Sequence, residues 1–509
     1  MERDIAWKKY DEAAHEALEA LAADYIEFIS ANKTERECAT AAIAAAEEAG
    51  YDSLADCIAA GTPVGPGSKL WACAQSKAVI LVHVGAAPMS DGLNILGAHI
   101  DSPRLDIKQN PLYEAHGFAL LDTHYYGGIK NYQWTALPLA LHGVVAKTDG
   151  EVVEVNIGED AGDPVFCVTD LLPHLGRTQM EKTGEKVVEG EDLDVLVGNR
   201  PLVEICDTVG GDGNAQSLKQ SCSHGQSTGL SGSCGTRLVS TADPSDSSDA
   251  ESPKDPVKAQ VLALLAEKYG IAEEDFLSAE LEVVPAGCAR DLGFDRSMVI
   301  GYGQDDRVCA YTSLAAQLAL GDDVPARTAV CVLVDKEEIG SVGASGMASM
   351  FFENTIAEIM ALAGEDGPLP LRRALTRSRM LSSDVSAGFD PAYASVFEAK
   401  NSAFLGRGLV FNKYTGARGK SGSNDASAEY VAQVRRIMDE AGVSFQTAEL
   451  GRVDAGGGGT IAYIPAKYGM DVIDSGVPVL SMHSPWEVTS KADIYEARRG
   501  YEAFLRDPS

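Results

Sequence analysis

Residues 330–341 read VCVLVDKEEIGS. Five apolar residues in a row, three of them β-branched, make a short strand buried on both faces, the kind found in parallel sheets. The run stops at once in Asp335, Lys336, Glu337 and Glu338, followed by Gly340. An apolar strand that ends in a cluster of charges is unusual in a pure core element. In open α/β sheets, ligands bind outside the carboxyl ends of the strands.

Working outward, the same placement recurs three times. LNILGAHID (93–101) ends in His99 and Asp101, RMLSSDVSAG (379–388) carries Asp384, and PVLSMHSPWE (478–487) carries His483. Between the apolar runs at 329–334, 379–383, 408–411 and 478–482 lie stretches with helical spacing at 308–320, 341–362 and 425–441. This alternation predicts an α/β layout with a mostly parallel sheet from about residue 296 onward. Residues 5–30 and 38–49 also show helical spacing, and AVILVHV (78–84) reads as a strand. Residues 118–160 alternate and are rich in β-branched residues with Gly turns, which predicts antiparallel β structure.

Residues 206–256 are dominated by Ser, Gly and Asp. Such a composition buries too little apolar surface to offset its ordering entropy, so a disordered insertion is expected there. His224 sits in it between Cys222 and Cys234; a metal site there is the alternative to a disordered insertion. Helical spacing resumes over 257–269.

Composition narrows the function. The chain has 509 residues, 42 Lys+Arg against 75 Asp+Glu, and a formal charge of -33. No basic face exists to displace the counterions of a nucleic acid, and an anionic membrane surface would repel the chain. No run approaches the roughly 20 apolar residues of a membrane span. The N-terminal residues carry acids where a signal peptide needs an apolar run, so a cytoplasmic protein is expected. The ten Cys form no CxxC pair and read as reduced core thiols.

The chemistry follows from the residue types. Histidine nitrogen and carboxylate oxygen, without thiolate, are the donors of a hydrolytic zinc site. Two His and three carboxylates exceed the needs of one catalytic metal. They suit a metal pair with a bridging carboxylate, lowering the pKa of a shared water and polarising a carbonyl. A further carboxylate is then needed to carry the proton, and adjacent Glu337 and Glu338 can divide these roles. His99 and Asp101 are two apart, which in an extended strand puts them on one face. Asp101 can therefore orient the His99 ring. A fifth motif, GYGQDDRVCAYTSLAAQLAL (301–320), places Asp305 and Asp306 before a helix, where acids also suit the helix dipole.

GAHIDSPR, QDDR, DKEEIGS, SSDVSAG and GVPVLSMHSPWEV together resemble the motif set of the aspartyl aminopeptidase/aminopeptidase I family of dinuclear zinc exopeptidases. DTHYYGGIKNYQW, SGSNDASAEYV (421–431) and GGGGTIA (456–462) extend the resemblance over about residues 93–490. It implies His99 and Asp384 at one metal, Glu338 and His483 at the other, Asp305 bridging and Glu337 as general base. It implies two zinc ions per subunit, with manganese or cobalt as possible replacements. Asp306 stands where the family often has Asn. The resemblance also implies a catalytic domain of residues 1–107 and 296–509, interrupted over 108–295 by a β-rich dimerisation domain. His174, in LLPHLGR, resembles the family histidine that reaches a partner subunit's site. A homo-oligomer, most simply a dodecamer built from dimers, would enclose the sites and admit only short peptides.

Members that prefer acidic N-terminal residues place a Lys on the strand matched by GLVFNKYTG. Here Asn412 stands at that position and Lys413 is one residue out of phase, which turns it to the opposite face. This points toward neutral or hydrophobic N-terminal residues. The expected activity is release of N-terminal amino acids from peptides. The rival readings are a deacylase or amidase acting on N-blocked substrates with the same metals, and a catalytically silent assembly protein.

Overall fold

The computed structural model describes residues 4–202 and 253–509. The insertion expected over 206–256 therefore lies almost wholly outside the described residues, as do Cys222, His224 and Cys234. Pro256 already opens a helix that runs to Tyr269.

A nine-stranded sheet forms the centre of the molecule. Its four middle strands, Ala329–Val334, Asn94–His99, Arg379–Ser383 and Asp471–Gly476, lie side by side and run parallel. Antiparallel neighbours flank them, Ala78–His83 on one side and Leu409–Asn412 on the other. The sheet is thus mixed at its margins and parallel where the charged motifs emerge. Its strands are short apolar runs buried on both faces because helices cover both. Leu96, Ala98, Cys331, Leu333 and Leu381 pack into one apolar layer, and Ile95, Val330, Val332 and Met380 into the other. This is the period-two alternation of a strand between two cores. Fully burying side chains of this kind contributes about 1.5–3 kcal/mol each.

The helices Glu12–Ala31, Glu35–Glu48, Gln304–Leu318, Ala428–Glu440 and Lys491–Arg506 contribute buried residues to the first layer. Phe351–Leu362 and Pro368–Arg377 contribute to the second. Local chemistry sets where they start. Thr34 and Glu37 form a capping box for Glu35–Glu48, and Ser427 accepts from the Tyr430 N–H to open Ala428–Glu440. The helix expected over 341–362 forms only from Phe351. Residues 341–350 (SVGASGMASM) are turns, because Ser341 and Gly343 hold positive φ. Their apolar residues imitate a helical period that the backbone does not follow.

The strands at 104–285 build a separate seven-stranded antiparallel sheet with its own apolar layer around Leu105, Trp134, Leu141 and Val283. Phe118–Tyr126, Leu139–Ala146 and Val152–Ile157 belong to it. A third, five-stranded sheet joins Arg290–Leu292, Met298–Gly301, Glu487–Ser490, Pro478–Leu480 and Ser386–Ala387. The described cysteines are all free thiols, and Cys38, Cys57, Cys309 and Cys331 are buried. Cys288 is exposed, so the reading of core thiols does not extend to it.

Buried His142 links the helix Glu35–Glu48 to the seven-stranded sheet. Its Nδ1 lies 2.8 Å from Glu37 Oε1 and its Nε2 3.1 Å from Glu159 Oε1. Lys33 Nζ donates to the same Glu159 oxygen at 2.6 Å. Burial pulls the His142 pKa down, but the two carboxylates outweigh it and hold it above 6.5. Burial likewise pushes Glu37 and Glu159 up, and their bonds to His142 outweigh it and hold both below 4.5. The histidine's contribution is therefore complete below its unfolded value and lost as pH rises through its raised folded value. The glutamates' contribution is lost as pH falls below about 4.5. Replacing His142 by Ala should lower the unfolding free energy by about 3 kcal/mol at pH 6. The gap from wild type should narrow at pH 9. Denaturant unfolding at the two pH values checks this, and a gap independent of pH would remove the charged network from the account.

Candidate metal centre

Three of the four strand-end motifs emerge from adjacent parallel strands. His99 is the last residue of Asn94–His99, Asp384 follows Arg379–Ser383, and Glu337 and Glu338 sit in a turn just beyond Ala329–Val334. The fourth does not come from this sheet. His483 follows Pro478–Leu480 in the five-stranded sheet and reaches the cluster from the side. Asp305 occupies the first turn of Gln304–Leu318, with non-helical φ and ψ.

These residues converge. One Asp305 oxygen lies 3.2 Å from His99 Nε2 and the other 3.1 Å from His483 Nε2. His99 Nε2 is 3.9 Å from Asp384 Oδ1, and His483 Nε2 is 3.6 Å from Glu338 Oε2. Two groups of donor atoms result, His99–Asp305–Asp384 and Asp305–Glu338–His483, each drawn together within 4.8 Å and both containing Asp305. Glu337 Oε2 stands 3.9 Å from His99 Nε2, beside the first group.

The surroundings hold this arrangement. His99 Nδ1 bonds to the Asp101 carbonyl oxygen at 3.0 Å, with an Asp101 carboxylate oxygen at 3.3 Å. The Asp101 carboxylate also accepts the N–H groups of Glu337 and Glu338 at 3.1 and 3.2 Å and the Tyr126 hydroxyl at 2.8 Å. Asp101 thus orients one ring and fixes the turn that carries both glutamates. His483 Nδ1 bonds to the Gly128 carbonyl oxygen at 2.8 Å. Lys336 and His483 both have positive φ, +70° and +66°, an uncommon conformation for side-chain-bearing residues that the packing imposes.

Electrostatics decides what the cluster can hold. Burial, and then the neighbouring carboxylates, push Asp384 and Glu338 well above the usual carboxylate range and Glu337 up to about 7. Asp305 is the exception. Burial raises it, but hydrogen bonds from His483 and His99 outweigh burial and hold it below its ordinary value. The buried Glu338 Oε1 has no hydrogen-bond partner. Crowded, buried carboxylates with an orphaned oxygen and two imidazoles aimed at one bridging acid fit divalent cations. A nitrogen–oxygen set without thiolate fits zinc in a hydrolytic role.

The cluster opens into a cavity of about 580 Å³, lined among others by Asn412, Thr415, Thr460 and Asp474. Lys413 is not among the lining residues; it is half exposed and pairs with Asp425. His174 lies in an exposed turn and does not line the cavity of its own chain. Asp306 is buried, and its carboxylate accepts a long 3.4 Å bond from the His99 N–H and one from the Cys309 thiol.

Sequence reasoning missed Glu487. It begins the strand Glu487–Ser490, is almost fully buried, and accepts the His483 N–H at 2.7 Å and the Asp305 N–H at 3.1 Å. One side chain therefore positions the backbone of both residues. The signal was its place inside GVPVLSMHSPWEV, four residues after His483.

Fold and site together define a metal-dependent hydrolase of the α/β exopeptidase kind. Residues 28–505 match the family model described as aminopeptidase I zinc metalloprotease (M18). A Clostridium acetobutylicum protein named "Probable M18 family aminopeptidase 1" is 53% identical over 99% of this chain and 98% of its own length. The crystal structure of an M18-family aminopeptidase from Thermotoga maritima superposes with a TM-score of 0.85 at 39% identity, covering 99% of each chain. The Saccharomyces cerevisiae mApe1 dodecamer structure shares the fold alone, with a TM-score of 0.70 at 17% identity over 95% of this chain and 96% of that one. The chain belongs to the M18 aminopeptidase I family, and is a zinc-dependent aminopeptidase that hydrolyses peptide bonds.

Replacing Glu487 by Ala should lower zinc affinity about 10–100-fold while leaving the far-ultraviolet circular dichroism unchanged. Competition with a graded series of chelators measures this. Wild-type affinity in the variant would show that Glu487 does not position the ligands.

Proposed function

We propose that the chain removes N-terminal residues from short peptides using two zinc ions. His99 and Asp384 would hold one ion, Glu338 and His483 the other, and Asp305 would be shared. The observation that carries this reading is the placement of one Asp305 oxygen against each imidazole. When bound, the ions would supply Lewis acidity toward the scissile carbonyl and lower the pKa of a water; manganese or cobalt could do the same.

The chain's own residues supply the rest. Glu337 takes a proton from the attacking water at its carboxylate and delivers it to the leaving amine nitrogen. Asp101 positions His99 and the Glu337–Glu338 turn. The acidic cluster holds the free α-ammonium, which restricts cleavage to the first residue. Asn412 lines the side-chain pocket while Lys413 faces away. This supports a preference for N-terminal residues other than acidic ones.

The catalytic domain in this reading comprises residues 1–107 and 296–509, and 108–295 form the dimerisation domain. The separate seven-stranded sheet with its own core supports that division. A homo-oligomer, a dodecamer built from dimers, would bring His174 of one copy to the site of another. Leu171, Leu172 and Leu175 leave the turn around His174 apolar and exposed, as a contact surface requires. Free thiols throughout the described residues support a reducing, cytoplasmic setting. No described helix is long and apolar enough to cross a membrane.

Glu337→Gln should retain zinc and lose about a thousandfold in kcat on a peptide with a free N-terminus. Wild-type kcat in this variant would remove Glu337 as the base. The wild type should cleave free peptides and leave their N-acetylated forms intact; turnover of blocked substrates alone would establish the deacylase reading instead.

A further inference from the structure

Asp474 lies in the cavity wall but outside both donor groups. It sits on the strand Asp471–Gly476, paired in register with Ser382 on one side and Asn412 on the other. Asp384, at the metal cluster, is two residues beyond Ser382. Asp474 is therefore about 6–7 Å further down the sheet, to the side of the cluster.

Its carboxylate is only half satisfied. The Thr460 hydroxyl donates to Oδ1 at 2.5 Å, whereas Oδ2 has no partner although the residue is 2% exposed. Burial pushes the carboxyl up to about 7, the mark of an acid lacking a counter-charge. Thr415, in the wall of the same cavity, has a buried hydroxyl oxygen that is also unpartnered. Asn412, directly across the strand pair, is already committed. It accepts from Ser386 and donates to the Ala448 carbonyl. Leu450 and Met482 add apolar wall to the same cavity. An unpaired buried carboxylate is costly, and in a cavity it is best relieved by a ligand that brings a donor or a cation.

We propose that Asp474, with Thr415, recognises the side chain of the substrate's first residue, and that this side chain is basic, lysine or arginine, in place of the neutral or hydrophobic residue expected from the sequence. The aliphatic stem of such a residue would lie against Leu450 and Met482, with its charged head at Asp474. An acidic first residue meets like charge in the same place. The proposal rests on the aminopeptidase reading and deepens it to a substrate class.

The test measures kcat/KM of the zinc-loaded full chain on Lys, Arg, Leu and Asp aminoacyl-4-nitroanilides, for the wild type, Asp474→Asn and Thr415→Val. The wild type should rank Lys and Arg above Leu, and Asp last. Asp474→Asn should lower the Lys-to-Leu ratio about tenfold or more, with the change mainly in KM, and Thr415→Val should lower it by a smaller factor. An unchanged ratio in Asp474→Asn overturns the proposal. So does an equal loss on every reporter, which would make Asp474 a holder of the α-ammonium. Should Asp474→Asn fail to fold, the wild-type ranking decides alone: Leu above both Lys and Arg overturns the proposal. Absence of wild-type turnover on every reporter would overturn the aminopeptidase reading as well, so the two failures are distinct.

Discussion

Asp305 presents one carboxylate oxygen to each of two imidazoles that arrive from different sheets. Everything else at the site serves that arrangement. His99 comes up the middle of the nine-stranded sheet, and His483 comes from the five-stranded sheet beside it. Two separate structural units must therefore be in register to within a hydrogen bond's length. Glu487 supplies the connection, because its two oxygens accept the backbone N–H groups of Asp305 and His483. Asp101 does the same work on the other side, coupling the His99 ring to the turn that bears Glu337 and Glu338.

The cost of this design is concentrated negative charge in a poorly solvated place. Asp384, Glu338 and Glu337 are all displaced upward by burial and by one another. Asp305, between two histidines, stays low, as does Asp101 beside His99. A fold does not gather such groups for its own stability, since buried charges of one sign oppose folding. The three-layer core beneath the site supplies the compensating burial, with strands such as Ala329–Val334 completely enclosed.

Much of this was legible in the sequence. The strands at 94–99, 329–334 and 379–383 announced themselves as short apolar runs ending in His or acids, because strands buried on both faces leave little room for polar residues. Asn412 came from the resemblance of GLVFNKYTG to the family's strand, and a period of two turned Lys413 away from it; the cavity lining includes Asn412 and not Lys413. Other features could not be read. The apolar residues of 341–350 imitated a helix, and only the positive φ values at Ser341 and Gly343 reveal the turns. His483 was grouped with the central sheet because a strand end looks the same whichever sheet it joins. Glu487 lies inside GVPVLSMHSPWEV, where His483 alone was given a role, and Asp474 carries no motif. Their roles come from what surrounds them, two backbone donors in one case and a missing partner in the other.

The central claim is that Asp305 is shared between two metal ions. Anomalous diffraction from zinc-loaded crystals, recorded on both sides of the zinc absorption edge, tests it directly. The account predicts two peaks about 3.5–4 Å apart, one on each side of the Asp305 carboxylate. One lies against His99 and Asp384, the other against Glu338 and His483. A single peak, or two peaks that do not share Asp305, would contradict it.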